Sequence, residues 1–127
     1  MQIPEKVKFD ADGLIPAVIQ DANNGQVLMP GFMNRESLRR TLDEGKVCFW
    51  SRSRQKFWLK GEESGNFLIV KGVYANCYAD SLLIKAEPVG PTCHNGYQSC
   101  YYRQFTEDGD LEVIAEQLFD PKEVYKK

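Results

Sequence analysis

Two thiols bracket the chain's single histidine in Cys93-His94-Asn95-Gly96-Tyr97-Gln98-Ser99-Cys100, and a third, Cys77, lies upstream. Thiolate is a soft ligand that suits zinc, and a catalytic zinc keeps three protein ligands with a fourth position open to water. Cys77, Cys93 and Cys100 supply three such ligands and His94 a candidate proton carrier, so the set reads as a catalytic zinc site. The six residues between Cys93 and Cys100 exceed the knuckle of roughly two to four residues common in structural zinc sites. Spacing alone leaves two other readings open: buried, inert thiols, or a closed structural zinc with His94 as fourth ligand. Adjacent Cys93 and His94 are an awkward pair to aim at one ion. Cys48, alternating with Val47 and Phe49, reads as a packing residue.

A second group of residues suits an anion. Ser51-Arg52-Ser53-Arg54-Gln55-Lys56-Phe57-Trp58-Leu59-Lys60-Gly61-Glu62-Glu63-Ser64-Gly65 combines guanidinium and ammonium groups, hydroxyls and glycine-bearing backbone. These are the groups that hold phosphate, and Trp58 offers a ring face for a base. The competing reading has Arg52 and Arg54 decorating one face of a strand while Trp58 packs in the core.

Among the elements that must position these residues, Leu14-Ile15-Pro16-Ala17-Val18-Ile19-Gln20 and Gln26-Val27-Leu28-Met29 flank an Asn24-Gly25 turn signal and predict a β-hairpin. Asn34 reads as a helix N-cap, Leu38 and Leu42 share a face, and Gly45 stands at the C-terminal stop, predicting a helix over Arg35–Glu44. Its charges, Arg35, Arg39, Arg40, Asp43 and Glu44, read as a solvated face. Strands are expected at 46–51, 57–59, 67–74, 81–87, 99–105 and 110–115, the last two joined by an Asp108-Gly109 turn. A helical turn is expected after Pro121. The fold class is α+β and β-rich: hairpins and a twisted antiparallel sheet or partial barrel with one main helix.

Whole-chain quantities bound these readings. A chain of 127 residues is expected to form one domain, 1–127, burying roughly two-thirds of its unfolded surface, so a metal is not needed merely to make a core. A net charge of -2 gives no excess for wrapping nucleic acid. No stretch approaches the roughly 18 apolar residues of a membrane helix, and the first residues lack the apolar core of a signal peptide. A cytoplasmic protein acting on small molecules, with no nucleic-acid or membrane partner, is the expectation. In that compartment four cysteines favour metal or redox chemistry over disulfides, and the missing C-x-x-C spacing argues against a thioredoxin-type dithiol.

Taken in order, Leu28-Met29, Phe32-Met33-Asn34, Ser51-Arg52-Ser53-Arg54-Gln55, Trp58-Leu59-Lys60-Gly61-Glu62, Ser64-Gly65 and Cys93-His94-x-Gly96 with Ser99-Cys100 resemble the phosphoribosyl-AMP cyclohydrolase family of histidine biosynthesis. The resemblance runs from about Leu14 to Tyr102. It implies a hydrolase that opens the adenine ring of 1-(5-phosphoribosyl)-AMP at the N1–C6 bond, zinc-activated water attacking C6 with His94 as proton carrier. It also implies an intertwined homodimer in which Cys77 of one subunit shares a zinc with Cys93 and Cys100 of the other. Ser51, Arg52, Ser53, Arg54, Trp58, Lys60, Glu62 and Ser64 would then contact the substrate, a phosphorylated purine nucleotide.

The chain departs from the family pattern around Cys77. The family reads Asp-Cys-Asp-x-Asp there, its carboxylates holding magnesium, whereas this chain reads Asn76-Cys77-Tyr78-Ala79-Asp80. Asp80 with a neutral Asn76 oxygen makes a weakened magnesium site, since magnesium favours hard, charged oxygen ligands. Asn95 replaces a usual threonine, and Pro30-Gly31 replaces bulkier residues, an expected loosening of that strand. The departures leave two alternatives: a diverged zinc hydrolase on a related purine nucleotide, or a non-catalytic dimer with structural zinc.

Overall fold

In the computed structural model, which describes residues 2–124, the elements follow the hydrophobic pattern closely. β1 (Ile15–Asp21) and β2 (Val27–Met33) form an antiparallel hairpin, and α1 (Arg35–Glu44) follows at once. β3 (Cys48–Ser51) and β4 (Lys56–Leu59) make a second hairpin, β5 (Leu68–Ala75) and β6 (Leu82–Pro88) a third, and β7 (Arg103–Phe105) with β8 (Leu111–Val113) a fourth. A single turn, α2 (Pro121–Val124), comes last.

The main sheet has the order β2-β1-β6-β5. Its outer pairs are antiparallel, but β1 and β6 run parallel from Ala17↔Leu82 to Asp21↔Ala86, so the sheet is mixed where an antiparallel one was expected. The parallel pair arises because everything from β2 to β5 intervenes before β6 returns to the centre, and a crossover, unlike a hairpin, permits either direction. Ile15, Ala17 and Ile19 of β1 alternate inward and meet Leu82, Ile84 and Ala86 of β6 in one core with Leu28, Met33, Leu38, Val47, Phe49 and Leu68. The architecture is strand-rich with one main helix and an open sheet, not a closed barrel.

α1 is bounded as its sequence predicts. Asn34 Oδ1 accepts the Ser37 amide while Ser37 Oγ accepts the Asn34 amide, a reciprocal capping box, and Gly45 closes the helix in the left-handed region. Its inner face, Ser37, Leu38 and Thr41, is buried, and Thr41 Oγ1 accepts the Cys48 amide at 3.0 Å, fixing the start of β3. The outer face carries Glu36, Arg39, Arg40 and Asp43 in exposed ion pairs.

β2 runs unbroken through Pro30 and Gly31: proline is tolerated because β2 is an edge strand, and a side chain at Gly31 would put its Cβ 2.4 Å from the Phe49 ring. One expectation is corrected by packing. The residues 99–102 are not strand. Ser99 and Cys100 instead attach to the free edge of β2, where Ser99 Oγ donates to the Val27 carbonyl at 2.7 Å and the Cys100 amide donates to Leu28 at 2.7 Å. Cys48 is 3% exposed and packs in the core as expected.

Candidate active site

The β3–β4 hairpin builds one wall of the site. Its ladder pairs Cys48 with Leu59 and Ser51 with Lys56, and the turn between them closes through Gln55 in the left-handed region. Trp58 rests against Phe49 with ring centroids 5.5 Å apart, so the core sets its position. Past β4 the chain doubles back at Gly61, whose φ of 96° and close approach to Phe67 exclude a side chain. The Gly65 amide donates to the Gly61 carbonyl at 2.7 Å, folding Glu62, Glu63 and Ser64 over the hairpin.

A cleft of about 510 Å³ opens between these segments and is lined by Ser51, Ser53, Arg54, Trp58, Lys60, Glu62 and Ser64, with His94 from the distant loop. The predicted substrate-contacting residues are therefore gathered, with one exception. Arg52 lies outside the lining, its guanidinium stacked 3.9 Å from the Phe32 ring centroid. Lys56, Gly61 and Glu63, which belong to the anion-suited stretch but not to the expected substrate contacts, also line the cleft, and Pro121 was missed altogether. Lys56 was recoverable from its place opposite Ser51 in the hairpin, whereas Pro121 arrives from the C-terminal segment without a local signal.

Trp58 packs on the core and also lines the cleft. Lys60 is 3% exposed and makes no carboxylate ion pair among the described residues. Burial pushes its ammonium below the usual lysine value, and the neighbouring Cys100 and Cys93 sulfurs act in the opposite sense.

The histidine loop is a tight excursion. The Gly96 amide donates to the Cys93 carbonyl and the Cys93 amide to Tyr97, leaving His94 and Asn95 at the tip. The C-terminal segment holds this tip from behind: Gln117 Nε2 donates to the Asn95 carbonyl, Leu118 donates to Gly96, and Tyr97 stacks on Tyr102 at 3.7 Å. Cys93 is 3% exposed while His94 is exposed in the cleft, so the neighbours serve different surroundings. Burial, reinforced by the adjacent Cys93 thiol, pushes the Cys100 thiol up to about 12. A nearby cation would reverse that penalty by stabilising thiolate.

Cys77 is not brought to this pair. It is exposed on the turn between β5 and β6, and no three metal-ligating side chains converge among the described residues. A buried Cys93 and a half-buried Cys100, side by side, suit part of a soft-metal site.

The Asn76–Asp80 turn does not suit magnesium. Asn76 Oδ1 accepts the amides of Asp80 and Ser81 at 2.9 and 3.0 Å, and Asn76 Nδ2 donates to Asp80 Oδ1 at 2.7 Å. An amide oxygen has two lone pairs, and both are engaged.

A polar cleft bearing cations, hydroxyls, carboxylates and one imidazole carries the groups of a hydrolytic active site. Residues 29–102 match the sequence model of a family described as phosphoribosyl-AMP cyclohydrolase. A phosphoribosyl-AMP cyclohydrolase of Chlorobium chlorochromatii (strain CaD3) is 51% identical over 126 residues, covering 99% of this chain and 92% of the relative. One from Chlorobaculum tepidum is 50% identical, with 97% and 90% covered, and one from Pelotomaculum thermopropionicum is 49% identical, with 97% and 95% covered. The chain belongs to the phosphoribosyl-AMP cyclohydrolase family.

Proposed function

We propose that this enzyme opens the adenine ring of 1-(5-phosphoribosyl)-AMP in histidine biosynthesis, acting in the cytoplasm as a zinc-dependent homodimer. The observation that carries the reading is the meeting of the anion-suited cleft and His94 in one space, in a chain of this family. Arg54 and Lys60 supply positive charge for the nucleotide's phosphates, and Ser51, Ser53 and Ser64 supply hydroxyl donors. Trp58 offers its ring to the purine.

Cys93 and Cys100 would hold zinc together with Cys77 of a second subunit, a donor set that matches zinc's preference for thiolate. When bound, zinc supplies Lewis-acid activation of water. His94 takes the proton from the water as oxygen adds to C6 and returns it to N1 as the N1–C6 bond breaks, leaving a carboxamide oxygen on C6. The exposure of His94 at a loop tip inside the cleft supports this role.

The test is a direct ring-opening assay of the purified protein with zinc varied, alongside metal analysis. The expected result is turnover of phosphoribosyl-AMP with about one zinc per subunit, both lost in Cys100→Ser. Full zinc occupancy in that variant would overturn the ligand assignment. Zinc retention with turnover only of another purine nucleotide would favour a diverged hydrolase, and zinc retention without any turnover a structural dimer.

A further inference from the structure

The turn carrying Cys77 is built around one side chain. The Asn76 backbone accepts the Ala79 amide at 2.9 Å and donates to Ser81 at 3.1 Å, while its carboxamide engages Asp80 and Ser81 as described. Inside this ring of bonds Ala79 is held at φ 56°, a left-handed conformation costly for a residue with a side chain. The turn is also tethered from outside, because the Lys8 amide donates to the Ala79 carbonyl at 2.8 Å. Cys77 and Tyr78 project from it, Tyr78 at 70% exposure.

We propose that Asn76 is the positioning residue that presents Cys77, its carboxamide occupying the structural role of a divalent cation at this turn. The turn therefore has no resident magnesium. This rests on the proposed function only in taking Cys77 as a zinc ligand. Two facts lead to it. The Asn76 oxygen is fully used by the Asp80 and Ser81 amides, so turning it toward a cation would break both bonds that close the turn. The Asn76 amide nitrogen is hydrogen-bonded to Asp80 Oδ1, where a neutral donor satisfies a carboxylate that would otherwise seek positive charge.

The geometry also defines what an aspartate at position 76 would do. One carboxylate oxygen could keep the Asp80 and Ser81 amides, but the other would replace Nδ2 opposite Asp80 Oδ1. Two carboxylates that close repel unless a cation bridges them. Asn76→Asp should thus convert a self-sufficient turn into a cation-dependent one.

The experiment compares purified wild type, Asn76→Asp and Asn76→Ala, with zinc supplied and no nucleotide present, during titration with magnesium alone. Calorimetry and the urea midpoint are read first, and zinc affinity second, by competition with a chelator. Wild type is expected to give no magnesium heat and an unmoved midpoint. Asn76→Asp is expected to bind magnesium and gain stability from it, and to lose zinc affinity on the order of 10- to 100-fold until magnesium is added. Asn76→Ala is expected to lose zinc affinity without magnesium rescue.

Magnesium binding by wild type that disappears in Asp80→Asn overturns the proposal, as does an Asn76→Asp variant indifferent to magnesium. If the protein held no zinc and opened no ring, the proposed function would fail, while the calorimetric and midpoint comparison would still decide whether Asn76 replaces the cation.

Discussion

Replacing Ser99 with alanine tests how the thiol loop is fastened to the sheet. Ser99 is 5% exposed, and its hydroxyl donates to the Val27 carbonyl at 2.7 Å while accepting the Tyr101 amide at 3.0 Å. Alanine removes both bonds without altering the backbone. The lost donor is worth about 1 kcal/mol, and leaving the part-buried Tyr101 amide unpaired adds about 1–2 kcal/mol, giving a total loss of about 2–3 kcal/mol. With a urea slope of about 2 kcal/mol/M, the middle of the range for small domains, the unfolding midpoint should fall by about 1–1.5 M with the slope unchanged. Ser53→Ala, on the exposed β3–β4 turn, is the control and should stay within about 0.5 kcal/mol of wild type. A Ser99→Ala midpoint equal to that of Ser53→Ala would refute the reasoning, because these bonds would then contribute nothing to the folded state.

His94→Ala should lower ring-opening turnover on the order of 100-fold or more while the zinc content is retained; unchanged turnover would remove His94 from the mechanism, and zinc loss would make it a ligand. Thr41→Val keeps the volume of a side chain with no exposed surface but leaves the Cys48 amide, now bonded at 3.0 Å, without an acceptor. A loss of about 1–3 kcal/mol in chemical unfolding is expected. Glu36 is held at about 2 by the hydrogen-bonded guanidiniums of Arg39 and Arg40. A carboxylate lowered in the folded state stabilises it above the usual value of 4.5 and ceases to do so as pH falls toward 2. Glu36→Gln should therefore remove part of the acid sensitivity between those values, and high salt should shrink the difference because the group is exposed.

What could be foreseen in the sequence followed from local chemistry. Asn34 and Gly45 announce the limits of α1 because capping depends on residues a few positions apart. The cleft wall was legible for a related reason: Ser51 to Ser64 is one hairpin and one turn, so neighbours in sequence stay neighbours in space. The parallel β1–β6 pair was not legible, since alternation marks which face is buried but carries no strand direction. Arg52 escaped because its partner, Phe32, lies on another element, and the burial of Lys60 depends on the thiol loop arriving over it. The residues 99–102 suit a strand through their paired tyrosines, yet the donors of Ser99, Cys100 and Tyr101 are spent on the edge of β2 and on a serine hydroxyl.

The bonds from Ser99 to the carbonyls of Val27 and Leu28 span 72 and 71 positions. On a ribosome the first hairpin and α1 emerge long before the residues that cover the β2 edge. Until then that edge presents unpaired backbone groups to any other nascent chain. Soluble yield should therefore depend on how quickly the segment from Ser99 onward is delivered.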